Sequence, residues 1–174
     1  IGVLWLGTIY GVVIGILLSF VAMILKATNP PRAFRGLVPG KSAYYDLDKN
    51  RFAYPIKNVV IYRFSEDMFF ANITVLQSDI ESRIQDDTKV VVIDAEVVNN
   101  IDFTAAEAIE MLFQSLEKRG VRLYSTGHTA QINEQMRHLG IGHLIEEGRV
   151  RRTILSALKD AGIDNIIAEK QAQM

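Results

Sequence analysis

No residue is charged between Ile1 and Leu25, "IGVLWLGTIYGVVIGILLSFVAMIL", and this run constrains the chain more than any other feature. About 20 apolar residues carry a helix across a ~30 Å hydrocarbon core, and in lipid a lone segment must satisfy its own backbone, which only a helix does. Residues 1–25 are therefore expected to form a transmembrane helix. Gly2, Gly7, Gly11 and Gly15 recur every four or five positions; small residues so spaced either admit a second helix backbone or are merely tolerated. The run lacks the basic leader and small-residue cleavage site of a secretory signal, and the chain opens on Ile1, which reads as a piece of something longer. Lys26, Arg32 and Arg35 follow with no acidic residue before Asp46, so the positive-inside bias puts residues from about 26 onward in the cytoplasm.

The 174 residues leave room for one ordinary domain behind that helix. Cysteine is absent, which excludes disulfides, thiolate metal sites and a Cys nucleophile and fits a cytoplasmic location. From Lys41 onward there are 16 basic and 20 acidic residues, a net of −4, and nothing in that balance points to nucleic acid.

Residues 26–53 carry Pro30, Pro31, Gly36, Pro39 and Gly40 and read as a basic, fairly stiff linker. The β-branched and aromatic run Tyr54–Phe64 and the short "MFFAN" (Met68–Asn72), separated by Ser65-Glu66-Asp67, predict a β-hairpin. Ile73, Leu76, Ile80 and Ile84 then fall on one helical stripe, and Val90–Asp94 reads as a strand buried on both faces. Ala105, Ala108, Ile109, Leu112, Phe113 and Leu116 mark a second amphipathic helix ended by Gly120. "VRLYS" (Val121–Ser125) is the next strand, and Ile132, Met136 and Leu139 mark a third helix stopped by Gly140. A last helix carries Ile154, Leu155, Leu158 and Ala161 and closes at Gly162; residues 163–174 read as a tail. This alternation predicts an α/β domain over 54–162, a mixed sheet of four to five strands covered by about four helices with right-handed crossovers.

Between the buried strand and the second helix lie Asp94, Asn99, Asn100 and Asp102. Paired carboxylates can divide acid and base work, but no Gly-rich phosphate loop, GxSxG elbow or His-Glu-x-x-His motif accompanies them. His128, His138 and His143 lack metal-ligand spacing. No enzyme, metal or cofactor is expected. On the structural reading, Thr104-Ala-Ala-Glu107 fits a capping box worth about 1 kcal/mol, with Asp102 adding negative charge at the positive end of the helix. On the functional reading, the same exposed helix start could hold a phosphoryl group or a partner's carboxylate.

"NVVIYRFSEDMFFANITVLQSDI" with "VVVIDAEVVNNIDFTAAEAIEMLFQSLEKRGVRLYSTG" resembles the cytoplasmic STAS domain of the SulP anion permeases, the bacterial relatives of solute carrier family 26. The resemblance covers about residues 54 to 162, and the domain's place behind an apolar span and a basic linker matches that family. It implies a STAS fold and a parent that carries sulfate, bicarbonate, chloride or dicarboxylate across a bacterial inner membrane. The partners it implies are the rest of the transporter's membrane domain and a second copy of the parent. Related soluble anti-sigma-factor antagonists carry a phosphorylatable Ser directly after an Asp in this loop. Here Asp102 matches the Asp and the next residue is Phe103, with Thr104 one place later. The resemblance thus implies a regulatory or docking surface without its usual phosphoacceptor; the alternative is a membrane-tethered STAS signalling switch.

Arg149, Arg151 and Arg152 cluster before the last helix in an otherwise acidic domain. Either Glu146 and Glu147 neutralise them as a solvated cluster, or they dock an acidic surface such as a cytoplasmic partner protein.

Overall fold

The structure, a computed structural model, describes residues 2–163, with side chains from residue 7. The chain divides into two compact units, Ile1–Pro30 and Pro31–Met174. The first is one helix, α1 (Gly2–Thr28). Its stretch Gly7–Thr28 has a mean hydropathy of 2.5 and is long and apolar enough to cross a membrane. Ser19 returns its hydroxyl to the Gly15 carbonyl at 2.9 Å, so this polar group is satisfied within the helix itself.

The second unit is built on one six-stranded sheet: β1 (Arg32–Leu37), β2 (Tyr44–Asp46), β3 (Val59–Phe64), β4 (Val90–Asp94), β5 (Arg122–Thr126) and β6 (Val150–Arg151). The spatial order is β2-β1-β3-β4-β5-β6, with β3 to β6 parallel and β1 antiparallel to both β2 and β3. The helices are α2 (Ile73–Arg83), α3 (Phe103–Lys118), α4 (Ala130–His138), α5 (His143–Glu146) and α6 (Ile154–Asp160).

The expected mixed sheet with helical cover is present, and its two extra strands come from the stretch read as a linker. Arg32, Ala33, Phe34 and Arg35 pair with Phe64, Arg63, Tyr62 and Ile61. Proline and glycine suggested a connector there, but Pro30 and Pro31 stop just short of β1, and only Gly36 lies within it. At Gly36 the backbone comes so close to Tyr54 that an added Cβ would sit 2.2 Å from its carbonyl oxygen. That glycine serves strand packing rather than chain flexibility. The hairpin expected from Tyr54–Phe64 and Met68–Asn72 does not form. The antiparallel partner of β3 is β1, and Met68 makes a lone parallel bridge to Ile101 instead. Asn72 accounts for the difference: its side chain accepts from the Phe69 amide at 3.0 Å and donates to the Asp67 carbonyl at 2.8 Å, folding the segment into a turn that leads into α2.

All five β4 residues are buried, as a strand covered on both faces requires. Side chains alternate across a strand, so Val91 and Ile93 join Tyr62, Leu76, Leu112 and Ile132 in the core under α2, α3 and α4. Val90 and Val92 face the other way, onto Ile61, Tyr124 and the α6 residues Ile154, Ala157 and Leu158. Helix α3 ends as its sequence predicts: Gly120 adopts φ +73°, the Gly120 amide donates to Glu117 O and the Val121 amide to Leu116 O, at 3.0 and 2.9 Å. Ile163 packs on the α6 core, and the rest of the expected tail lies outside the described residues.

Candidate functional site

The loop from β4 to α3 is held by carboxylates on both sides. Asp67, before α2, accepts from the Asn99 and Asn100 amides at 2.8 and 3.0 Å. Backbone bonds of 3.0 Å run from the Met68 amide to Asn100 O and from the Asp102 amide to Met68 O. Gln135 of α4 donates to the Asn100 side chain at 2.8 Å. The loop is thereby fixed to two neighbouring elements.

Asp102 is the N-cap of α3. Its Oδ1 accepts from the Ala105 amide at 2.7 Å and its Oδ2 from the Phe70 amide at 2.9 Å. The capping box assigned to Thr104 and Glu107 is thus not the one formed. The helix begins two residues earlier than that reading placed it, with Phe103 as its first residue, because a charged carboxylate accepts an amide more strongly than a hydroxyl does. Thr104 falls inside the first turn, and both Thr104 and Glu107 are exposed.

Phe103 is 60% and Phe70 69% exposed, and the Phe70–Asp102 bond brings these two aromatic residues to the same rim. Met111, 67% exposed, follows Phe103 by eight positions and so falls on the same side of α3. Large apolar side chains exposed on one rim make it a candidate interaction surface.

Asp94 has a different task from Asp102. Only 5% of its side chain is exposed, and its Oδ2 accepts from Arg35 at 2.9 Å and Arg63 at 3.1 Å. The same Arg63 nitrogen reaches Glu96 at 3.1 Å. The sequence marked Arg35 only as a basic residue behind the apolar span and did not mark Arg63, one charge in an apolar strand, so neither was tied to Asp94. Only the β1–β3–β4 register brings them to one oxygen.

The three arginines before α6 do not act as a group. Arg149 lies 3.0 Å from Glu117 and over the rings of Phe113 and Tyr124, with centroid distances of 5.5 and 5.6 Å, so its guanidinium is held inward. Arg151 is paired with Asp160. Arg152 is exposed.

His128 sits in the β5–α4 loop with Nε2 2.6 Å from Ser125 Oγ. Burial, outweighing the opposing effect of Asn133, lowers its pKa to about 4, so the ring is neutral at physiological pH. Burial, with Asp79 accepting the phenolic hydrogen at 2.8 Å, raises the pKa of Tyr62 well above that of a free tyrosine.

A four-strand parallel core with helices on both faces, an antiparallel edge, and a carboxylate-capped helix behind a tethered loop define a small α/β domain of mixed-sheet type. The STAS domain family matches residues 53–161, and the chain belongs to that family. Among curated relatives, the probable sulfate transporter Rv1739c of Mycobacterium tuberculosis is 26% identical over 160 residues, covering 90% of this chain and 29% of that protein. Sulfate transporter 1.3 of Arabidopsis thaliana is 24% identical over 168 residues, covering 90% and 26% respectively. The chain therefore spans well under a third of the length of these relatives. Among solved structures, the murine Solute Carrier 26 family member A9 anion transporter superposes with a TM-score of 0.78 at 21% identity over 89% of this chain and 26% of that one. A sulfate transporter family protein from Wolinella succinogenes superposes with a TM-score of 0.56 at 25% identity, over 68% of this chain and 97% of that one.

Proposed function

We propose that this chain is the C-terminal part of a SulP-type secondary anion transporter. Residues 1–25 supply its last membrane helix, and the STAS domain is a non-enzymatic regulatory and docking module on the cytoplasmic side of a bacterial inner membrane. The partners are the rest of the membrane domain, a second copy of the parent and an acidic cytoplasmic protein. Sulfate is the first anion to test, because several curated relatives are named sulfate transporters; bicarbonate, chloride and dicarboxylates follow.

The observation that carries the docking reading is Phe103. It occupies the place after Asp102 where the resemblance puts a phosphorylatable Ser, and with Phe70 it turns an apolar face to solvent. A ring at a rigid, capped helix start suits constitutive packing against a partner, for which aromatic residues are enriched at interfaces. A second reading, the tethered phospho-switch, has one observation in its favour: Asp102 does the capping, so the exposed Thr104 hydroxyl is not needed for it.

Sequencing the gene upstream of Ile1 separates the two. Ten or more apolar spans in frame support the transporter; a start codon within a few residues of Ile1 overturns it in favour of the switch.

A further inference from the structure

We propose that the cleft at the carboxyl ends of β3, β4 and β5 is a binding site for a tetrahedral oxyanion of the sulfate or phosphate type, with Arg35, Arg63 and Arg152 as its donors. In parallel α/β sheets, ligands settle in the crevice outside the carboxyl ends of the strands. This crevice has a volume of about 620 Å³, within the range of small-molecule sites. The cavity behind Ser125 and His128 measures only about 30 Å³ and has room for little more than a water.

The charge of the lining decides the class of ligand. Arg35, Arg63 and Arg152 face Asp94 and Glu96, three positive groups against two negative ones, in a domain that is otherwise acidic. Arg35 and Arg63 each spend one nitrogen on the same Asp94 oxygen, and one carboxylate neutralises only one guanidinium. The second counter-charge is Glu96, whose side chain is 66% exposed and is therefore easily displaced by an incoming anion. The arginine forks keep donors beyond those bonds, and a planar fork matches the paired oxygens of sulfate or phosphate better than it does a chloride ion.

The floor of the cleft is held at close quarters. Gly127 has φ +82°, and a Cβ there would meet the Glu96 backbone at 2.7 Å, so the β4 and β5 ends are locked side by side beneath the arginines. Arg152 is the member that the sequence already marked out, and its exposure leaves it able to close over a ligand. The site is separate from the Phe70–Phe103 surface and stands whether or not the docking reading holds.

The test is titration of the full 174-residue chain in detergent with sodium sulfate, sodium phosphate and glycerol 3-phosphate against sodium chloride at constant ionic strength, followed by thermal unfolding and by Arg Nε–Hε NMR shifts. Saturable binding by either inorganic oxyanion, and not by chloride, is expected. Arg152→Gln should weaken it at least threefold, and Glu96→Gln should tighten it at least twofold by removing the resident competitor. Both positions are exposed, so neither variant threatens folding. Comparable affinity for the inorganic ions and the ester assigns a free anion as ligand, and tenfold tighter binding of the ester assigns a phosphorylated metabolite. A response to sulfate and phosphate no different from chloride, or affinities unmoved in both variants, overturns the proposal.

Discussion

Asp94 and Asp102 are eight positions apart and similar to the eye, yet one is a buried counter-charge and the other a helix cap. A buried carboxylate that keeps its arginines contributes little net, whereas removing it leaves Arg35 without that counter-charge and Arg63 with Glu96 alone. Asp94→Asn is accordingly expected to lower stability by about 3 kcal/mol in urea unfolding, within the range for breaking a buried pair. Asp102→Ala should cost about 1–2 kcal/mol, while Thr104→Ala should stay within about 0.5 kcal/mol, since only the former is bonded to the helix amides. Equal losses in both would restore the Thr104 capping box. His128 supplies the pH dependence. Its folded pKa of about 4 lies below the ordinary value of 6.5, so between these values the unfolded chain binds the extra proton. Its contribution is complete above about pH 6.5 and is lost as the pH falls toward 4. His128→Gln should flatten the stability profile across that window, as read by thermal unfolding at half-unit intervals of pH.

At the scale of elements, what was legible in the sequence depended on whether the signal was local. The stripe Ile73, Leu76, Ile80 and the uninterrupted Val90–Asp94 each imply an element without reference to anything distant, and α2 and β4 fall there. β1 was not legible, because its identity as a strand rests on pairing with β3 some thirty residues later, against a composition that reads as punctuation. The loop was legible as a capped helix start, but its other anchors, Asp67 and Gln135, are ordinary polar residues until the fold brings them to the loop. This has a consequence for truncation. A chain starting at Pro31 should unfold in one cooperative transition, whereas one starting at Lys41 lacks β1, leaves the β3 edge unpaired and removes Arg35 from Asp94. The shorter chain should be less stable by at least about 3 kcal/mol, on the buried-pair loss alone, or should self-associate. Equal stability of the two by urea unfolding would mean that β1 is an ornament on the sheet.

The whole molecule joins an apolar helix suited to a membrane with a STAS domain whose exposed aromatic rim is proposed as a docking surface. The two units need each other only if the domain acts on transport. The direct measurement is sulfate uptake into proteoliposomes by the complete parent transporter, comparing the native protein with a Phe70→Asp/Phe103→Asp variant after equal folding and membrane content have been established by circular dichroism and quantitative immunoblot. Bicarbonate, chloride and succinate are assayed in parallel. Both rings are exposed in the domain, so the substitutions leave its core intact. A charge placed on an apolar docking rim should change the uptake rate at least threefold for whichever anion is carried. Uptake of every anion within experimental error of the native rate, at equal protein in the membrane, would contradict the claim that this surface regulates transport.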